Sequence, residues 1–237
     1  MKTAVMSALA LLWAAGAGAA EADSRPAWGL EMDGGWAAMA LGDVNQGASQ
    51  DIEGGEQAGL GLEWRPMGWL ALDARVGYLM AQDRTTTRSC MFYDPLAGGA
   101  PEAWNYTQHE RYSALETGVQ AWLERPLGAF DLRVGLGVAW ANLAGSEISN
   151  NAPSQMPGLS ESLLLYGSAP DCTLGAGADW WVDRHFSLGV QGGWRWCDVR
   201  EVTLAGAESG TWKNADGSDR SIDFSGWNLG VRGVFWF

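Results

Sequence analysis

The stretch Asp223-Phe224-Ser225-Gly226-Trp227-Asn228-Leu229-Gly230-Val231-Arg232-Gly233-Val234-Phe235-Trp236-Phe237 decides how the rest of the chain is read. Its odd positions Trp227, Leu229, Val231, Gly233, Phe235 and Phe237 are apolar or small, and its even positions Asn228, Gly230 and Arg232 are polar or small. Val234 and Trp236 break the rule near the end. Alternation with period two is a strand whose two faces meet different surroundings. The sequence stops at Phe237, so a partner or lipid is expected to cover the apolar face.

Composition narrows those surroundings. A formal net charge of −13 argues against nucleic acid as a partner. Hydrophobic and charged fractions of 47% and 18% suit one ordinary domain, but 33 Gly and 15 Trp do not. Gly is costly in strands unless side chains crowd one face, as inside a small closed barrel. Trp favours the membrane–water interface. Met1 to Ala20 reads as a secretory signal peptide, with Lys2 at its start, an apolar run from Ala4 to Ala15, and Ala17-Gly18-Ala19 for cleavage. Ala20-Glu21-Ala22 is a second candidate cleavage site, and residues 21–237 form the mature domain. The apolar run is too short to span a bilayer as a helix, and no later stretch of about 18 apolar residues follows. A membrane protein built from this chain must therefore close its sheet, because lipid leaves open edges unsatisfied.

Eight segments carry the alternation: Trp28 to Leu41, Gln57 to Arg65, Trp69 to Ala81, Arg111 to Glu124, Phe130 to Leu143, Cys172 to Val182, Phe186 to Cys197, and the closing strand. The fifth sets Phe130, Leu132, Val134, Leu136, Val138 and Trp140 against Asp131, Arg133, Gly135 and Gly137. An even count suits an antiparallel barrel with both termini on one side. The connections alternate in length. Arg65-Pro66-Met67-Gly68, Arg125-Pro126-Leu127-Gly128 and Asp183-Arg184-His185 are short, whereas Gly42 to Glu56, Gln82 to Glu110, Ala144 to Asp171 and Asp198 to Ile222 are long and polar. The stretch Leu123 to Gly135 echoes Glu63 to Gly77 at a period of roughly 60 residues, one hairpin solution used twice. Aligned by their turns, the strands place Trp28, Trp64, Trp69, Phe130, Trp180, Phe186, Phe235 and Phe237 near the short-turn end. Tyr78, Tyr112, Trp140, Trp194, Trp196 and Trp227 fall roughly eight to ten residues away, the separation that two interfacial girdles require.

The ending, with Phe237, Phe235 two residues earlier, and Val231 and Leu229 before them, resembles the closing strand of bacterial outer-membrane β-barrels. Gly233 matches that pattern weakly. By pattern the mature chain resembles the OmpA transmembrane domain and OmpX-like or opacity-type porin-family proteins. The resemblance implies an all-β, eight-stranded antiparallel up-and-down transmembrane β-barrel in the bacterial outer membrane, bathed in lipid and lipopolysaccharide. It further implies that Phe235 and Phe237 are read by the barrel-assembly machinery. A monomer without cofactors is expected, acting as a pedestal for its long loops.

The inward rows hold Glu31, Asp33, Glu63, Asp73, Arg75, Glu116, Gln120, Glu124, Asp131, Arg133, Asp179, Gln191, Arg195, Asn228 and Arg232. Charges of both signs in a narrow bore must pair or be hydrated, and an eight-stranded barrel has room for little beyond its own side chains. A polar plug is therefore expected, with a narrow channel for small solutes as the alternative. His185-Phe186-Ser187 has the His-x-Ser spacing of lipid A deacylases, so a lipid-modifying enzyme is the third reading, but a turn histidine is the expectation. His109 reads as a solvated rim residue. Asn214-Ala215-Asp216-Gly217-Ser218-Asp219 offers calcium-type oxygens without the bidentate Glu an EF-hand needs, and reads as a polar turn. Asp43, Asp51, Glu53 and Glu56 make the first loop acidic, which reads as solvation or as divalent-cation binding beside lipopolysaccharide. Cys172 and Cys197 fall nearly opposite each other on adjacent strands, and a disulfide between them would need a bulge to overcome opposite parity, with Cys90 left over. A secreted lipocalin-like barrel would instead gather the apolar rows inside. Fractionation separates these: the membrane barrel needs detergent, shifts mobility on heating in a gel, and is cut by added protease only within the four long stretches.

Overall fold

Leu132, Leu136 and Val138 are 38%, 65% and 58% exposed, while Asp131 and Arg133 on the alternate positions are 1% and 3% exposed. The greasy rows thus face outward and the ionised rows face the axis, the reverse of a lipocalin. The computed structural model describes residues 25–45, 51–92, 102–151, 162–206, 210–214 and 216–237, so Met1 to Ala20 and the side chain of Cys90 lie outside the described residues.

Eight strands build the barrel: β1 (Trp28–Ala38), β2 (Gly54–Met67), β3 (Leu70–Ala81), β6 (Ser113–Leu127), β7 (Phe130–Leu143), β10 (Ser168–Trp181), β11 (Phe186–Val199) and β15 (Gly226–Trp236). All neighbours are antiparallel, in the order β10-β7-β6-β3-β2-β1-β15-β11, and β10 pairs with β11 to close the ring. The first and last strands zip together from Gly29↔Trp236 to Ala37↔Asn228. Closure leaves no barrel edge facing outward, which a hydrocarbon environment demands.

The turns at one end are tighter than the sequence suggests. β2 runs on through Pro66 to Met67 across a register shift after Trp64, and β6 runs to Leu127, so only Gly68-Trp69 and Gly128-Ala129 are left as turns. Gly128 has a φ of 68°, a conformation that suits glycine. At the other end the long stretches are not plain loops. They contribute β4 (Arg84–Phe92), β5 (Glu102–Arg111), β8 (Glu147–Asn150), β9 (Ser162–Tyr166), β12 (Thr203–Gly206) and β13 (Gly210–Thr211). These six strands form a second sheet in the order β13-β12-β9-β8-β5-β4. β4, β5, β8 and β9 prolong barrel strands after breaks of one to three residues, so barrel and outer sheet share their strand directions. β14 (Ile222–Asp223) pairs back onto β11.

Two interior tryptophans show how the bore is filled. Trp236 is 0% exposed, and a Cβ on Gly29 would stand 2.7 Å from its ring. Trp122 is 5% exposed, and a Cβ on Gly135 would stand 2.5 Å from its ring. The positions that seemed to break alternation, Val234 and Trp236, keep it: both point inward and are 0% exposed. Tyr112 does not belong to an outward girdle. It is 1% exposed, because its even position in the β6 row points to the axis. At the outer-sheet end the bore changes character, and Met39, Leu41, Val44, Leu79, Tyr112, Leu143, Val199, Ile222 and Phe224 form an apolar core across its mouth. Gly135→Val should overpack the Trp122 site and lower stability by about 1–3 kcal/mol, read as a lower urea midpoint in detergent.

Candidate functional site

The interior side chains form tiers from the short-turn end upward. At the floor, the Arg25 guanidinium donates to both carboxylate oxygens of Asp131 at 2.6 Å and lies 4.7 Å over the Trp181 ring. The Trp181 indole also donates to Asp131, at 2.6 Å. Arg65 lies 4.1 Å over Trp236 and donates to Glu124 at 3.1 Å. Arg65 closes this floor because the extended β2 carries it on the inward row after Glu63.

The central tier turns on Glu63, which is 0% exposed. Its carboxylate accepts from Arg232 at 2.7 Å and Arg133 at 3.2 Å. Asp179 accepts from the same Arg133 at 3.2 Å, and Glu31 pairs with Arg232 at 3.3 Å. The Arg133 guanidinium stacks 4.1 Å over Trp122, so the indole face bears part of its charge. Above, Arg75 donates to Asp33 at 3.0 Å, and Arg195 bridges Glu116 at 3.2 Å and Asp171 at 3.0 Å. Asp73, 2% exposed, packs over Gly61, and neither of its oxygens has a hydrogen-bond partner among the described residues. Gln120 lines two small cavities between the tiers. One, of about 30 Å³, also meets Gln57, Arg75, Trp122, Gln191 and Asn228. The other, of about 20 Å³, meets Arg75, Glu116, Asp171 and Arg195. Each has room for water and little more.

Three of these groups escape a reading of the segments alone. Arg65 and Asp171 lie at or one step beyond the segment ends assigned from sequence, on rows whose parity already points inward. Arg25 precedes every strand, and no sequence signal marks it.

Ion pairs also stitch the outer end. Arg84, 5% exposed, donates to Glu110 at 3.0 Å and to the Val44 carbonyl at 3.0 Å. The Tyr112 hydroxyl donates to the same Glu110 at 3.0 Å, and burial together with that carboxylate pushes the phenol far above its usual range. Asp43 accepts from the Ser221 amide at 3.0 Å and the Asn214 amide at 3.2 Å, which ties the first long stretch to the fourth. At the exposed rim, the hydrogen bond from Arg111, 2.9 Å long, holds Asp83 below the usual carboxylate range.

The remaining sequence candidates separate. Cys172 is in register with Trp196 and Cys197 with Asp171, with no shift between them and the turn, so the two thiols occupy opposite faces. Cys172 is exposed, Cys197 is buried, and both are free: the bulge that a disulfide between them would need is absent, and the opposite parity read from the sequence holds. His185 takes the Trp236 carbonyl at 3.0 Å, whereas Ser187 Oγ accepts from the Trp236 indole at 2.9 Å, so these two side chains serve the last strand separately. His109 contacts Thr85 on the rim at 3.0 Å. Asp216 caps the Ser218 amide at 2.9 Å in a turn, and no group of three or more metal-type ligands occurs among the described residues.

A family model described as "Outer membrane protein beta-barrel domain" matches residues 7–235. No curated protein matches the sequence. Among solved structures, a major outer membrane protein from Thermus thermophilus shares 12% identity at a TM-score of 0.51, over 89% of this chain and 98% of that one. Neisserial surface protein A shares 9% at 0.48, over 91% and 100%, and OprG of Pseudomonas aeruginosa 15% at 0.42, over 90% and 97%. At such identities the likeness to the Thermus protein concerns the fold. Glu63→Ala strands Arg133 and Arg232 without their shared carboxylate and should cost about 3–5 kcal/mol, measured by urea unfolding followed by tryptophan fluorescence.

Proposed function

We infer, for a chain that belongs to the outer membrane protein beta-barrel family and sits in the bacterial outer membrane against lipid and lipopolysaccharide, that its barrel is a closed pedestal and its outer sheet the working surface. The observation that carries this reading is the filling of the bore at three levels, by Arg25 and Asp131 at the floor, the Glu63 cluster at the centre and apolar side chains at the mouth. A transport path would have to cross all three. The pedestal is rigid because the outer strands continue those of the barrel, and surface recognition concentrates on such scaffolded loops. Short turns face the periplasm and long stretches the exterior in barrels of this kind.

The family is mostly non-enzymatic, and the separate engagements of His185 and Ser187 support the same reading here. Phe235 and Phe237 are 56% and 62% exposed on the outward face while Trp236 between them is buried, which supports a role for the two phenylalanines as the signal read by the barrel-assembly machinery. The barrel acts as a monomer and without cofactors. One observation favours a narrow channel as the second reading: the two water-sized cavities share Arg75, Gln120, Thr173 and Arg195, and together resemble the middle of a water file. Planar-bilayer recording decides between them. The pedestal should show no steady conductance. A conductance that changes in Arg195→Ala or Glu116→Ala would establish the channel instead.

A further inference from the structure

The outward surface is not uniformly convex. One outward row runs Trp28↔Trp64↔Leu72↔Ala121↔Leu136 across five strands, and the row above it runs Leu62↔Ala74↔Val119↔Val138. Large side chains stand at the ends of these rows, but Ala121 in one and Ala74 in the other are diagonal neighbours. The result is a trough of about 520 Å³ with an almost wholly apolar lining. It is many times larger than the water-sized cavity of about 30 Å³ inside the bore. Stacked Trp28 and Trp64, with ring centroids 5.7 Å apart, wall its lower end.

What covers this surface follows from the placement of the barrel in the outer membrane, on which the inference rests. The trough is continuous with the lipid-facing belt and begins at the short-turn end, hence in the periplasmic leaflet. In hydrocarbon there is no hydrophobic drive to fill it, so occupancy depends on contact: an empty trough forfeits dispersion with its walls. A second barrel, itself convex, would rest on the ridges at Leu136 and Val138 and leave the alanine floor unfilled. A flexible chain of methylenes can lie along that floor. Arg125 sits on the outward row of β6, four residues nearer the turn than Ala121, which puts a cation at headgroup depth where a phosphate oxygen can accept from it.

We propose that this trough is a phospholipid site: one acyl chain of a periplasmic-leaflet phospholipid lies over Ala74 and Ala121, with its anionic headgroup at Arg125. The test reconstitutes the full-length mature barrel in vesicles of phosphatidylethanolamine and phosphatidylglycerol, with either lipid carrying a photoreactive acyl chain, and maps the labelled residues by mass spectrometry. Label should concentrate on β3, β6 and β7 around the trough. Ala121→Phe and Ala74→Phe, each filling it from the lipid side, should lose that concentration while keeping the heat-modifiable mobility of a folded barrel. Arg125→Gln should lose the preference for phosphatidylglycerol. Label spread evenly to Val190 and Val231 on the far side of the belt, or unchanged in both Phe variants, overturns the site, as does cross-linking of the trough to a second copy. An unchanged phosphatidylglycerol preference in Arg125→Gln overturns the headgroup assignment. No label anywhere would overturn the membrane placement itself, a different failure.

Discussion

A backbone N–H or C=O turned toward hydrocarbon finds no water, so every strand needs a neighbour on both sides. That constraint shapes this molecule more than any single contact. It is met by the pairing of β1 with β15 and of β10 with β11, which turns eight strands into a ring. Once the ring is closed, the two-residue period of a strand sends each side chain either to lipid or to the axis. Parity along each strand therefore fixes where the charges go.

The axis is crowded, and the sequence answers the crowding with pairs of unequal size. Trp236 lies over Gly29, Trp122 over Gly135, and Asp73 over Gly61. The many glycines are the room that large inward residues occupy. Electrostatics obeys the same limit. A buried carboxylate is tolerable only with cations in contact, and Glu63 has Arg65, Arg133 and Arg232 around it. The tiers interlock because several arginines serve more than one acid. Removing one group therefore unbalances several.

Period-two rows and alternating connection lengths made the barrel legible in the sequence, because both follow from local geometry. The identities of most interior ions were legible for the same reason: Asp131 and Arg133 are polar residues in an otherwise greasy segment. What stayed hidden depends on where strands end or on contacts remote in the chain. Arg65 and Asp171 were lost at segment boundaries, although their parity was correct. The outer sheet was hidden because β4 and β5 are polar on both faces, β8, β9, β12 and β13 are only two to five residues long, and all six pair only with one another. The apolar mouth was hidden too, since Leu79, Leu143 and Val199 extend rows that are ionic lower down. The Cys172–Cys197 bond stayed open in the sequence because nearness across the turn favoured it and parity opposed it; whether a bulge intervenes is set by the pairing of the strands, which runs without one.

The packing of Trp236 against Gly29 has a bearing on how the cylinder is sewn shut. If the last strand slid by a single residue against the first, every side chain on it would exchange faces. The Arg232 guanidinium would then lie among acyl chains, and the indole would leave its notch while Phe235 crowded into the bore. The final seam thus carries its own key: the penultimate residue fits at one setting only, and a mis-threaded closure is penalised before the chain can settle.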